Sequence, residues 1–131
     1  MRKLLMQYVK DLTAGRLASG FEHSARVYHL AREIGEAMDY YDDVLHAACF
    51  LHNIETPARG TEAVIERERT LLAEVGFDAS KVNAVCDAIA EHTPGSEPKE
   101  LESKLLYDAN LLDTIGAVGF ARLSIGAFFW H

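Results

Sequence analysis

Only two cysteines, Cys49 and Cys86, and three prolines, Pro57, Pro94 and Pro98, occur in the 131 residues. Two thiols are too few for a disulfide scaffold. Both lie among apolar neighbours, as buried thiols of a reducing, cytoplasmic compartment do. The prolines fall in segments that read as loops on other grounds. Positive charge is also scarce: thirteen Lys and Arg stand against twenty Asp and Glu, a formal net charge of −7. No basic block appears, which excludes an extended phosphate-tracking nucleic-acid surface but leaves room for one small phosphorylated ligand in a pocket. No window approaches the roughly 18 uninterrupted apolar residues of a membrane span. Lys10 and Asp11 end the N-terminal apolar run too early for a signal peptide. Internal repeats, low-complexity tracts and strand-type alternation are missing too.

Hydrophobic residues are plentiful, at 49% of the chain, and the length suits one domain spanning residues 1–131. Apolar residues recur every three or four positions, which predicts an all-α fold: a compact bundle of six or seven helices. A first helix is expected over Lys3–Ala14, with Leu4, Leu5, Tyr8, Val9 and Leu12 inward and Gly15 ending it. A second runs over Phe21–Met38 and a third over Asp42–Asn53, capped by Asp42 or Asp43. A fourth covers Thr61–Val75, closed by Gly76, and its charged Glu66-Arg67-Glu68-Arg69 stretch is expected at the surface. A fifth spans Ser80–His92 and a sixth Pro98–Ile115. A last helix starts after Gly116 and carries Phe120, Leu123 and Phe128. The aromatic cluster of Phe120, Phe128, Phe129 and Trp130 either meets a partner subunit, giving a homo-oligomer, or closes the core.

Four ionisable residues fall in step with apolar faces. His23 shares a stripe with Val27, Leu30 and Ile34; His52 with Leu45, Ala48 and Cys49; His92 with Val82, Val85 and Ile89. Asp108 falls in step with Leu101, Leu105, Leu112 and Ile115. A carboxylate that faces a low-dielectric interior must be paired, hydrogen-bonded or metal-bound to stay charged. Each of these groups alone reads as a satisfied core residue. Together, three histidines and an aspartate from four helices are the raw material of a metal site in a bundle. Imidazoles with a carboxylate suit iron, manganese, cobalt, nickel or zinc. His29, His46 and His131 read as surface or incidental histidines.

The segments Phe21-Glu22-His23-Ser24-Ala25-Arg26-Val27, Leu51-His52-Asn53-Ile54-Glu55, Ile89-Ala90-Glu91-His92-Thr93 and Tyr107-Asp108-Ala109-Asn110, with Leu112-Asp113 and the following Ile115–Arg122 run, resemble the HD superfamily of metal-dependent phosphohydrolases. The resemblance covers residues 21–122 and is closest to small members that act on nucleotides. It implies one divalent ion (Mn, Fe, Co, Ni, Zn or Mg) held by His23, His52 and Asp108. Asn53 stands in the place of the His-Asp doublet's aspartate. It further implies that His92 approaches the substrate phosphate or a second metal, that Arg26 reaches a phosphate, and that Glu55 orients or deprotonates the attacking water. The partner implied is a small phosphorylated substrate of the nucleotide class.

Three departures accompany the resemblance. An amide at position 53 carries no charge and ligates a metal weakly. It marks a slow or inactive member, a member in which Glu55 supplies the missing carboxylate, or a substitution that traps a ligand. Asn110 and Leu111 replace a second acid and a basic residue near Asp108. The run after the final helix is short. Three functional readings follow: an active or attenuated phosphohydrolase, an inactive HD-like domain that binds a nucleotide or metal for regulation, and a plain helical interaction bundle.

Overall fold

A computed structural model describes residues 2–15, 20–52, 61–92 and 95–129, with residues 61, 62 and 117–129 described by backbone alone. The described residues form six α-helices and no strand: α1 Arg2–Leu12, α2 Phe21–Ile34, α3 Asp42–Leu51, α4 Thr61–Glu74, α5 Val82–Ala90 and α6 Leu101–Phe129. One 3-10 turn, Ala79–Lys81, leads into α5. The all-helical expectation holds. The expected break at Gly116 does not occur, so the sixth and seventh expected helices are one. A glycine in a helix interior weakens it by only about 1 kcal/mol against alanine, too little to interrupt a long apolar helix by itself. Among the described residues no helix is long and apolar enough to cross a membrane.

The bundle is built round α3. After the two first-turn aspartates its sequence is apolar on every side but for His46, and every residue from Val44 to Leu51 is buried. A helix apolar all round must be wrapped by others, and α3 packs against α1, α2, α5 and α6. α2 lies along α6, and α4 leans on α5. Helix ends follow the glycines: Gly15 and Gly76 have φ of 86° and 77°, and α4 closes with Gly76 N–H on Ala73 O and Phe77 N–H on Leu72 O. Arg2 ties α1 to its neighbours by donating to Asp42 (2.7 Å) and to the Tyr28 hydroxyl (3.1 Å).

Gly35 governs how closely α2 approaches α6. A Cβ there would stand 2.9 Å from both Leu105 Cδ1 and Tyr40 Cε1, and Leu105 is itself 2% exposed, with little room to retreat. Gly35→Ala should therefore lower stability by about 1–3 kcal/mol, the usual range for overpacking. Urea unfolding measures it directly, and an unchanged midpoint would show that α2 and α6 have slack between them.

Four sequence expectations about orientation are corrected. Leu4 is 45% exposed, off the core face that Leu5 and Val9 define. Glu68, within the charged stretch expected at the surface, is buried, as is His46. The His46 ring lies edge-on to Tyr28 and tilted on Phe50, at centroid distances of 4.9 and 4.7 Å. The fourth correction concerns α6 and bears on the site. Only the start of the expected stripe turns inward: Leu105 is buried and Leu101 packs on the core, but Asp108 is exposed, and Leu112 and Ile115 are 50% and 57% exposed. The face turned inward carries Glu102, Ser103, Leu105, Leu106, Ala109, Asn110 and Asp113. Glu102, Asn110 and Asp113 have partners. The Glu102 carboxylate, for instance, accepts from the Tyr41 N–H at 3.2 Å.

Candidate metal and phosphate centre

Three histidines meet at one end of the bundle. His23 sits in the first turn of α2, His52 immediately after α3, and His92 two residues past α5. The His23 and His52 ring centroids are 5.4 Å apart, and those of His52 and His92 5.1 Å apart. Both His52 and His92 use the same local device. Each imidazole folds back three residues and donates Nδ1–H to a carbonyl at the end of its own helix: His52 to Cys49 O at 2.6 Å, His92 to Ile89 O. Those carbonyls are among the last four of a helix, and Ile89 O also accepts from the His92 N–H at 3.3 Å. The device satisfies the backbone and fixes the tautomer, so Nε2 carries the lone pair in both rings.

His23 is held differently. Its Nδ1 lies 2.6 Å from Asp113 Oδ2, and its Nε2 lies 3.2 Å from Asn110 Oδ1. Asp113 also accepts from Arg26, at 3.0 Å from Nε and 3.4 Å from Nη2. Burial opposes the Asp113 charge, but the Arg26 and His23 hydrogen bonds outweigh it and hold the carboxyl below the usual range. The carboxylate orients His23, as a carboxylate behind a metal-binding imidazole does.

The centre carries little charge. Burial, reinforced by the neighbouring His92 and His23, pushes His52 down to about 3. Burial, with His23 beside it, also lowers His92. The His52 Nε2 atom is buried and makes no hydrogen bond. The nearby Asn110 side chain nudges its basicity upward without reaching bonding geometry. A buried acceptor without a partner is uncommon in folded proteins and points to a missing ligand.

Of the residues expected to bind metal, the structure brings His23, His52 and His92 together. Asp108 does not join them. It is exposed on α6, on nearly the opposite side from the line Ser103, Leu106, Asn110, Asp113. Hydrophobic periodicity assigned α6 to its leucine stripe, and that choice turned Asp108 inward. The position that addresses His23 is Asn110, with Asp113 one turn further on. Polar residues at i, i+7 and i+10 (Ser103, Asn110 and Asp113), with Leu106 between them at i+3, were the available signal for this face. Arg26 stands beside the centre, 54% exposed, engaged with Asp113. Asn53 and Glu55 lie outside the described residues.

What the described donors can hold follows from their chemistry. Neutral imidazoles and an amide suit ions that accept nitrogen. Magnesium and manganese prefer carboxylate and water oxygens. Among the described residues, no group of three or more His, Cys, Asp or Glu side chains stands ready to hold an ion. Two ring pairs approach closely, at 5.4 and 5.1 Å between centroids, but the described side chains alone do not make a metal-binding set. Asp113→Asn removes the carboxylate behind His23 and should weaken any ion at this centre about 10–100-fold, read by calorimetric titration. Unchanged affinity would show that Asp113 serves Arg26 alone.

Two cavities adjoin the centre. One of about 40 Å³, room for a water, lies among His92, Tyr107, Asn110, Leu111 and Thr114. The other is a groove of about 870 Å³ between α2 and α6, lined by Ala25, Arg26, His29, Leu30, Leu112, Asp113 and Gly116. It reaches the centre through Arg26 and Asp113 and is otherwise mostly apolar, within the size range of small-molecule sites.

No curated protein matches the chain, and no solved structure matches it. The family model described as HD domain matches residues 20–115, which span α2 to the middle of α6 and include all three histidines, Asn110 and Asp113. With that segment amounting to most of its length, the chain belongs to the HD domain family.

Proposed function

We propose that this chain binds a small phosphorylated ligand, of the nucleotide class, at the histidine centre, and that its metal-dependent phosphate-ester hydrolysis is attenuated to a slow side activity. The observation that carries this reading is Asn110, whose amide faces His23 Nε2 at 3.2 Å where an acidic side chain would have met an ion. With Asn53 in the doublet, both positions from which a carboxylate would reach the metal carry amides. An ion, when bound, supplies Lewis acidity toward a phosphoryl oxygen and acidifies water. Without anionic ligands an oxygen-preferring ion is held weakly, and neither amide can take a proton from water.

The remaining roles belong to residues of this chain. Asp113 orients His23 and anchors Arg26. A guanidinium has five N–H donors, and the bonds to Asp113 run from two of its nitrogens, so Arg26 can also meet a phosphate at the mouth of the groove. The apolar groove takes the rest of the ligand. His92, held neutral by burial near pH 7, offers a lone pair more readily than a proton. Glu55 keeps the water-orienting role that the family resemblance implies.

A panel of nucleotides and phosphomonoesters tests this, with manganese, cobalt, nickel or zinc added. At least one ligand should raise the melting temperature by several degrees. Turnover should stay at least about 100-fold below the ordinary range of 1–10³ s⁻¹. Turnover within that range would remove the attenuation, and an absence of binding across the panel would remove the ligand class.

A further inference from the structure

We infer that Tyr107 is a positioning residue for His92, holding its ring in place through one water bound in the small cavity between them; this rests on the histidine centre being the ligand site, as proposed above. The cavity has a volume of about 40 Å³ and is lined by His92, Tyr107, Asn110, Leu111 and Thr114. The four residues from α6 fall at i, i+3, i+4 and i+7, one face of a helix. Three of them are polar, so α6 turns a polar stripe toward His92. A buried water needs a space of at least about 10–15 Å³ and two to four polar partners. This cavity offers both, with four polar side chains around it.

The hydrogen-bond accounting matches a water. His92 donates Nδ1–H to Ile89 O, and a carbonyl only accepts, so Nε2 is left as an acceptor. Thr114 directs its hydroxyl hydrogen to Asn110 O at 2.8 Å, and its oxygen is left to accept. The Tyr107 hydroxyl accepts from the Gly95 N–H at 3.4 Å and keeps its own hydrogen to donate. Asn110 turns its oxygen toward His23 Nε2 at 3.2 Å and keeps its amide hydrogens to donate. Two acceptors and two donors thus border the cavity, and a water brings two hydrogens and two lone pairs. With Nδ1 tied to Ile89 O and Nε2 to the water, the His92 ring is gripped at both nitrogens. It then keeps its place beside His52, whose ring centroid lies 5.1 Å away. Tyr107 acts on the centre in this way without touching a ligand.

The test uses the full chain with chelator present. Its crystal structure should show one water within about 2.7–3.2 Å of His92 Nε2, the Tyr107 oxygen and Thr114 Oγ1. A dry cavity, or one filled by a side chain, would overturn the inference. Nitrogen-15 spectra of the imidazoles give a second reading. Wild-type His92 should show one tautomer, with the hydrogen on Nδ1. Tyr107→Phe should shift and broaden the His92 Nε2 signal. Thr114→Val, at an exposed position and without effect on the Gly95 bond, should do the same to a smaller extent. A signal unmoved by either variant, or moved by Tyr107→Phe alone, would show that no water links these groups. With p-nitrophenyl phosphate as probe, Tyr107→Phe should raise KM about 3–10-fold at nearly constant kcat, the range of one neutral hydrogen bond. A fall in kcat with KM unchanged would overturn the positioning role. The water present with no phosphorylated ligand bound would defeat the proposed function alone. A ligand bound while the cavity stays dry would defeat the inference alone.

Discussion

The double variant Asn53→Asp/Asn110→Asp should gain manganese-dependent phosphate-ester hydrolysis by at least about 100-fold, more than the 10–100-fold that changes outside the ligand shell produce. Both substitutions are nearly isosteric and each adds one negative charge, at position 110 facing His23 and at position 53, where the family resemblance implies a metal-binding aspartate. An anionic oxygen shell draws manganese into the site and supplies a proton acceptor for its bound water. The single variants should fall short of the double one, and their effects should not add, because both charges act on one ion. Asp108 provides the contrast. It is exposed and turned from the histidines, so Asp108→Ala should leave metal binding and turnover at wild-type levels. The measurements are turnover on the phosphate-ester panel and the manganese-induced change in melting temperature. If manganese affinity rises and turnover does not, the attenuation lies elsewhere, with Glu55 the first place to look. If neither changes, the amides do not address the centre. Loss of metal binding in Asp108→Ala would restore the leucine-stripe orientation of α6.

Acid should destabilise the fold steeply, starting well above the carboxylate range. Folding holds His52 at about 3 and His46 at about 4, against an ordinary 6.5, with burial the main cause in both. Arg2 adds to the effect at His46, and Asp42 opposes it. The unfolded chain therefore binds protons that the folded chain refuses, and stability rises with pH through this window. The contribution is complete above about pH 6.5 and is lost as pH falls toward the folded values. Each proton is worth about 1.4 kcal/mol per pH unit, so two histidines give a slope near 3 kcal/mol per unit around pH 5. His92, also lowered by burial, acts in the same direction. Asp113 and Asp42, held low by Arg26 and Arg2 against the effect of burial, add their share below about pH 4. Urea unfolding at successive pH values between 7 and 4.5, with chelator present, measures the slope. His46→Leu should reduce it by one proton's worth and leave the histidine centre intact. Stability that stays level from pH 7 to 5 would show that these imidazoles are not excluded from water.

Much of the site was legible because histidine periodicity is hard to misread. His23, His52 and His92 each fall in step with β-branched residues, leucines or small apolar neighbours on short helices, and each is brought to the centre. The error at α6 has a definite origin. Leu101, Leu105, Leu112 and Ile115 make a convincing stripe, yet Leu112 and Ile115 are largely exposed. The inner face is mixed: Leu105, Leu106 and Ala109 pack in the core beside Glu102, Asn110 and Asp113, which have hydrogen-bond partners. Hydrophobic patterning locates a face that packs, and it misplaces a face whose residues are buried for their hydrogen bonds. One misassigned helix face transferred the expected metal carboxylate to a surface residue and made Asn110 look peripheral. It also hid Asp113, which holds both His23 and Arg26.

Composition and spacing by themselves determined an all-helical domain, its helix ends at Gly15 and Gly76, the three histidines and the family they resemble. These follow from local rules: backbone propensity, left-handed glycines and a 3.6-residue repeat each act within a few positions of the chain. Tertiary structure alone decided which side of α6 meets α2, and hence that an amide and not a carboxylate faces His23. That choice depends on the close approach at Gly35 and on partners scores of residues away in sequence, where no local rule reaches.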